Sequence, residues 1–182
     1  MRAAAAACLL AAACGPRGLS VRSAPFPAGV PVFLAEDGAP ERGLPSGPEP
    51  ARLVFLDFPW CAACPEIWDA VRAASREVPA GRVRVFRILF DRERLFDGAK
   101  SREVPPLRAT APVDAGSFPV TTLTAIPKAF FAEYRVEQVP VLLLLDGSGR
   151  IERRWNGYSP AMPGDVAAAV NRLSDAPRPP GT

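Results

Sequence analysis

Apolar and polar positions change rhythm several times along the chain, and each change predicts an element. Residues 52–58, Arg-Leu-Val-Phe-Leu-Asp-Phe, form a short apolar run of strand composition that Pro59-Trp60-Cys61 breaks. Over 62–77, Ile67, Val71, Ala74 and Val78 recur at helical spacing with Glu66, Asp69, Arg72, Arg76 and Glu77 between them. That predicts an amphipathic helix, closed by Pro79-Ala80-Gly81. Residues 82–90 alternate at first (Arg-Val-Arg-Val) and then turn apolar, the pattern of a buried strand. From 127 to 136, Pro127 stands where a first helical turn accepts proline, and Phe130, Phe131 and Tyr134 supply an apolar side. Pro140 opens Val141-Leu142-Leu143-Leu144-Leu145, the most strand-like run of all. Asp146-Gly147-Ser148-Gly149 reads as a hairpin turn, 150–156 as the returning antiparallel strand, and 163–174 as a closing helix carrying Val166, Val170 and Leu173.

The stretches between these elements read differently. Residues 91–125 are charged at first, then rich in Pro, Thr and Ala, and predict a loop or helical insertion of weak structure. Residues 15–50 hold fourteen Gly or Pro in thirty-six positions, the composition of a tether, broken by Val30-Pro31-Val32-Phe33-Leu34 as a possible edge strand. Residues 176–182 form a Pro-rich tail expected to be disordered. The order strand, helix, strand, insertion, helix, strand, strand, helix predicts an α/β layer fold with a mixed central sheet flanked by helices, folded over 51–175.

Composition narrows the function. At 182 residues, 48% hydrophobic and 23% charged, the chain has room for one globular domain plus tails. A net charge of +3 gives no argument for a nucleic-acid surface. Residues 82–108 hold eight basic against four acidic side chains, read as a solvated strand edge and loop, with an acidic partner as the alternative. Histidine is absent, which removes Ser-His and Cys-His nucleophilic pairs and every His-ligated metal site.

What chemistry remains lies in cysteine. Cys61-Ala62-Ala63-Cys64 falls between an apolar strand and an amphipathic helix. A thiol at a helix N-terminus faces unpaired N–H groups and the positive end of the macrodipole, which favours thiolate. Cys61 would stand at the exposed start, as nucleophile toward a partner disulfide. Cys64, one turn further in, would resolve the mixed disulfide. Two other readings compete. A zinc half-site needs two more ligands that the chain does not supply, and a purely structural disulfide over so short a loop gains little. Asp57 on the preceding strand is a candidate buried proton acceptor for Cys64. One residue of slip would turn it to the other face as a plain loop carboxylate. Trp60 is either an apolar lid beside Cys61 or ordinary packing.

Three separated motifs resemble the thioredoxin superfamily: Phe55 to Cys64 as its strand, Trp and CxxC; Phe131 to Pro140 as its short helix followed by valine-proline; and Asp146 to Arg150 with Arg154 to Tyr158 as its terminal hairpin. The resemblance covers roughly 52–175 and implies a thioredoxin-like fold with an insertion before the cis-proline strand. It implies that Pro140 is that cis-proline, and that the Val139 backbone, with Trp60 and Pro140, receives an extended peptide. The implied activity is thiol–disulfide exchange on a protein or peptide disulfide, with the Cys61–Cys64 disulfide as the only redox group and no metal or other cofactor. The protein would be a monomer, and an integral membrane electron donor is a possible partner. The rivals are a non-catalytic peptide-binding module and a Cu(I) carrier using Cys61 and Cys64.

Residues 1–14, MRAAAAACLLAAAC, have a positive start, a short apolar stretch and small residues before a cysteine. They resemble a bacterial lipoprotein signal, with Cys14 as the lipidated residue, although the leucine sits four residues before it rather than three. That implies a periplasmic, membrane-anchored lipoprotein. A secreted soluble protein or a cytosolic one with an Ala-rich extension are the alternatives.

Overall fold

The structure, a computed structural model, describes Phe26 and residues 32–34, 40–41, 44–45, 47–58, 60–90, 113–125, 131, 136 and 138–175. Among the described residues the chain forms strands β1 (Val32–Leu34), β2 (Pro40–Glu41) and β3 (Ala51–Asp57), helix α1 (Cys64–Ala74), strands β4 (Val83–Leu89), β5 (Val120–Ala125), β6 (Val141–Asp146) and β7 (Ile151–Asn156), and helix α2 (Met162–Asp175). The strands make one mixed sheet in the order β2-β1-β5-β4-β3-β6-β7. Strands β3, β4 and β5 run parallel, and β6, β7, β1 and β2 add antiparallel pairings at either side.

Strand alternation assigns the two faces. Leu53 and Phe55 of β3, Val83 and Val85 of β4, and Leu142 and Leu144 of β6 point to one side. There they meet Ile67, Ala70, Val71 and Ala74 of α1 and Val166, Ala167 and Val170 of α2. Val54, Leu56, Phe86, Ile88, Leu123, Val141 and Leu143 point to the other side. The central strands are buried on both faces, which is why their sequences are nearly continuous apolar runs. Phe55, Phe86 and Phe90 are fully buried, and each such ring removed from water contributes about 1.5–3 kcal/mol.

Three expectations need correction. The insertion is not weakly structured throughout: Val120–Ala125 is β5, in parallel register with β4 and paired on its far side with β1. Its Val-Thr-Thr-Leu-Thr-Ala sequence lacks an apolar run but is dense in β-branched residues, which suit a pleated surface. The stretch 15–50 is not all tether: Phe26 and Leu44 are buried in the second core, and the Phe26 N–H donates to Gly149 O at 3.0 Å. β1 is second from the sheet edge, with β2 outside it. The basic excess of 82–90 is not a solvated edge either. β4 is internal to the sheet, and its Arg84 and Arg87 each pair with a buried carboxylate. Of the helix expected at 127–136, Phe131 is helical, and the rest lies outside the described residues apart from Val136, which is not helical. The expectations for Cys14, for 91–112 and for the 176–182 tail also fall outside them.

Candidate functional site

At the C-terminal end of β3 the chain turns rather than continuing. The Cys61 N–H donates to Phe58 O at 2.9 Å, and the Cys64 N–H donates to Cys61 O at 3.2 Å. Helix α1 then begins at Cys64, with Ala63 as an N-cap that offers no side-chain acceptor. Pro65 fits the first turn, where its missing N–H would have had no intrahelical partner. Glu66 puts an acid in that turn, favoured by the macrodipole. The start of the helix thus lacks a side-chain cap where the two sulfurs stand.

Cys61 and Cys64 form a disulfide with Cα atoms 5.4 Å apart. Cys61 is half-buried and Cys64 is 4% exposed. An incoming sulfur therefore reaches Cys61 far more easily than its neighbour. Behind the pair lies a cleft of about 380 Å³, lined by Asp57, Cys61, Cys64, Trp68, Arg87 and Asp114 among others. Asp57 is buried on the α1 side of the sheet, because it keeps the phase of Leu53 and Phe55. It is not an isolated carboxylate. Its Oδ2 accepts from Arg87 Nε at 2.6 Å and from Trp68 Nε1 at 3.4 Å. Trp68 is held in place by edge-to-face packing on Phe55, centroids 5.0 Å apart.

Val113 and Asp114 also line the cleft, and the stretch they begin is bonded to Arg72 and Ser75. Arg72 donates to Asp114 Oδ2 at 3.3 Å and also pairs with Asp69. The Gly116 N–H and Arg72 hold the Asp114 carboxyl below its ordinary range. Ser75 Oγ accepts from the Ser117 N–H at 3.3 Å, and Ser117 Oγ donates to Ser75 O at 3.1 Å.

The Val139–Pro140 peptide is cis and Pro140 is buried. Leu56 lies in register with Val141, so this bond sits at the sheet end where β3 delivers the cysteines. The Gly157 N–H donates to Pro140 O at 2.9 Å, which ties the loop after β7 to the same place. Among the described residues the exposed large apolar side chains are Trp60, Val139 and Tyr158. All three belong to loops at this one end. Trp60 packs edge-on against Phe58 while leaving 40% of its surface exposed.

The sequence reading named Cys61, Cys64, Asp57, Trp60, Val139 and Pro140, and the fold brings all six to this sheet end. It passed over Arg87, Trp68 and Tyr158. A signal for Arg87 was present: in Val83-Arg84-Val85-Phe86-Arg87 the arginine takes the phase of the two valines, so it faces the core and needs a counter-charge there. The soft donors at the site are the two cysteine sulfurs. No cluster of three or more metal-ligating side chains occurs among the described residues.

No family model matches the sequence, and no curated protein matches it. Solved structures do. The chain is similar to a thioredoxin-like protein from Porphyromonas gingivalis at 16% identity and TM-score 0.54, over 81% of this chain and 90% of that one. A thioredoxin-like protein from Aeropyrum pernix matches at 15% identity and TM-score 0.53, over 78% and 87%. ScoI from Arabidopsis thaliana, with copper bound, matches at 15% identity and TM-score 0.53, over 80% and 98%. At such identities the likeness is one of fold. The chain has the thioredoxin-like fold, a mixed sheet flanked by helices with a CxxC disulfide at the start of the first helix.

Proposed function

We propose that this protein exchanges thiols with disulfides of protein or peptide clients outside the cytoplasm, as a reductant of moderate potential. The observation that carries the reading is the unequal exposure of a bonded pair. A reachable Cys61 and a buried Cys64 share one uncapped helix start, beside a cis-proline loop and three exposed apolar side chains.

The exchange runs in two steps. In the reduced protein the Cys61 thiolate attacks one sulfur of a client disulfide. A mixed disulfide forms, and the first client thiolate leaves and takes a proton. Cys64, having lost its proton, then attacks Cys61 Sγ and releases the second client thiolate. Two electrons pass from the protein dithiol to the client, and the Cys61–Cys64 disulfide reforms. A dithiol partner must reduce it again, and an integral membrane donor fits that need. Trp60, Val139 and Tyr158 give an extended peptide an apolar footing beside the sulfurs, and the Val139 backbone gives it a strand to pair with. Neutral Ala62 and Ala63 add no positive charge to Cys61, which favours a reductant over a strong oxidant. No helix among the described residues is long and apolar enough to cross a membrane. Attachment would come from lipid on Cys14, and Cys14→Ser should then release the protein from membranes.

The test is trapping in the periplasm of a bacterial host. Cys64→Ala should accumulate mixed disulfides through Cys61, and Cys61→Ser should lose exchange altogether. A Cys64→Ala protein that captures no client counts against the reading. A second reading, Cu(I) carriage on the two thiolates, draws on the likeness to copper-bound ScoI. It predicts tight one-to-one Cu(I) binding by the reduced protein, and a titration without it disposes of this alternative.

A further inference from the structure

Phenylalanines from three separate parts of the chain meet in the second core, on the face of the sheet away from α1. Phe58 follows β3 and Phe90 follows β4, and the residues before them, Asp57 and Leu89, are register partners on parallel strands. Neighbouring strands lie about 4.7–4.9 Å apart, so the two rings leave the sheet side by side. Their centroids are 4.8 Å apart and their planes lie 14° from parallel. Phe131 closes over both, its centroid 5.9 Å from that of Phe58 and 5.2 Å from that of Phe90. Phe58 and Phe90 are buried, and Phe131 is half-buried.

Trp60 stands on this stack. Its indole meets the Phe58 ring edge-on at 5.4 Å while 40% of the residue stays exposed. The chain turns between the two, with the Cys61 N–H donating to Phe58 O at 2.9 Å. Phe131 belongs to the segment that leads to the cis Val139–Pro140 bond. Packed rings therefore join the two sides of the peptide footing, which are far apart in sequence. An exposed indole on a loop loses freedom when a client settles against it, and an indole already seated loses less.

We propose that Phe131 is a positioning residue for client binding: by holding Phe58 against Phe90 it fixes the pose of the Trp60 indole that an extended client meets beside Cys61. This rests on the exchange reading, which supplies the client. A small disulfide needs the sulfur and no footing, so its reaction is indifferent to Phe131.

The experiment separates the indole from the sulfur, because Cys61 packs against the same core. The reduced full chain is mixed with excess insulin, a polypeptide disulfide, or with bis(hydroxyethyl) disulfide, a small one. Its oxidation is followed against substrate concentration. Phe131→Ala should raise the half-saturating insulin concentration about fivefold and leave the limiting rate unchanged, the scale of one lost aromatic contact. The rate with the small disulfide should hold. Phe131→Tyr, which keeps the ring, should stay near the parent. Fluorine NMR of the fluorotryptophan-labelled chain reads the three indoles, with the Trp60 line assigned by Trp60→Phe. Phe131→Ala should move that line and leave those of Trp68 and Trp155, which pack on the other core. If Phe131→Ala fails to fold, Phe131→Leu, which keeps apolar bulk without a ring, decides by the same readouts. An unmoved Trp60 line overturns the proposal, and so do insulin and the small disulfide slowed alike. A chain that reduces both disulfides, with half-saturation unaltered in the variant, defeats this proposal alone. A parent that reduces neither defeats the exchange reading, and the Trp60 line still decides whether Phe131 sets the indole.

Discussion

Strand β4 carries two buried ion pairs, and they belong to different kinds of place. Near its start Arg84 donates through Nε and Nη2 to Glu49 Oε1 at 3.1 and 3.0 Å. Near its end Arg87 donates to Asp57 at 2.6 Å. The chemistry is the same, and both acids are nearly inaccessible. Yet the first pair ties the residues before β3 onto the sheet, facing away from α1. The second faces a cleft that holds a disulfide. A buried acid–arginine pair is therefore no mark of function by itself. It is what any strand needs when an arginine enters a core phase, because desolvating either charge alone is costly. What sets the second pair apart is the disulfide that shares its cleft.

The sharpest way to break this comparison is to break the first pair alone. Arg84→Met strands Glu49 and should cost about 2 kcal/mol, less than the 3–5 kcal/mol of a wholly buried pair, because nearly a third of Arg84 reaches solvent. Urea denaturation measures that loss. The pH midpoint for alkylation of reduced Cys61 by iodoacetamide should not move. If Arg84→Met moves that midpoint, the two places are not different, and the pair at the start of β4 is coupled to the sulfurs after all.

A smaller effect tests the wall of the cleft. Gly116 has φ +67°, and a Cβ there would collide with Ser75 Oγ, which already bonds Ser117 N and Arg72 O. Gly116→Ala should cost about 1–2 kcal/mol through strain and the displaced hydroxyl. The thiol midpoint should again hold, since no charge changes. A thermal melt unchanged from the parent would mean that residues 113–119 are not packed on α1 as described.

How far the sequence displayed all this depends on the signal each part uses. β3, α1, β4, β6, β7 and α2 announce themselves because burial on one or both faces forces apolar residues into period 2 or 3.6. The CxxC is legible because four contiguous residues hold both sulfurs, and the valine-proline because its motif is local. β5 was misread because threonine serves a strand well while looking polar. Phe26 and Leu44 were lost in a Gly/Pro-rich stretch, where isolated apolar residues carry no period. The Asp57–Arg87 pair spans thirty residues and depends on parallel register, which no local pattern records. Tyr158 joins Trp60 and Val139 only because β7 returns to the same sheet end.

The slightest expected effect concerns Asp114, on the exposed rim of the same cleft. Its carboxyl is held below the ordinary 3.8, first by the Gly116 N–H and then by Arg72. A group with a lowered folded value stabilises above the unfolded value, and that contribution fades as pH falls through the folded one. Asp114→Asn keeps an oxygen for the Gly116 N–H but loses the charge facing Arg72. The parent should therefore be marginally more stable than the variant near neutral pH, and the gap should close as the solution is acidified below about pH 4. Denaturation midpoints at the two pH values check it. Because Asp114 is solvent-exposed, added salt should narrow the neutral-pH gap too. A gap that persists in acid would place the effect in backbone geometry instead of charge. The wall would then resemble the Glu49 end of the sheet, where a residue serves the fold and leaves the sulfurs alone.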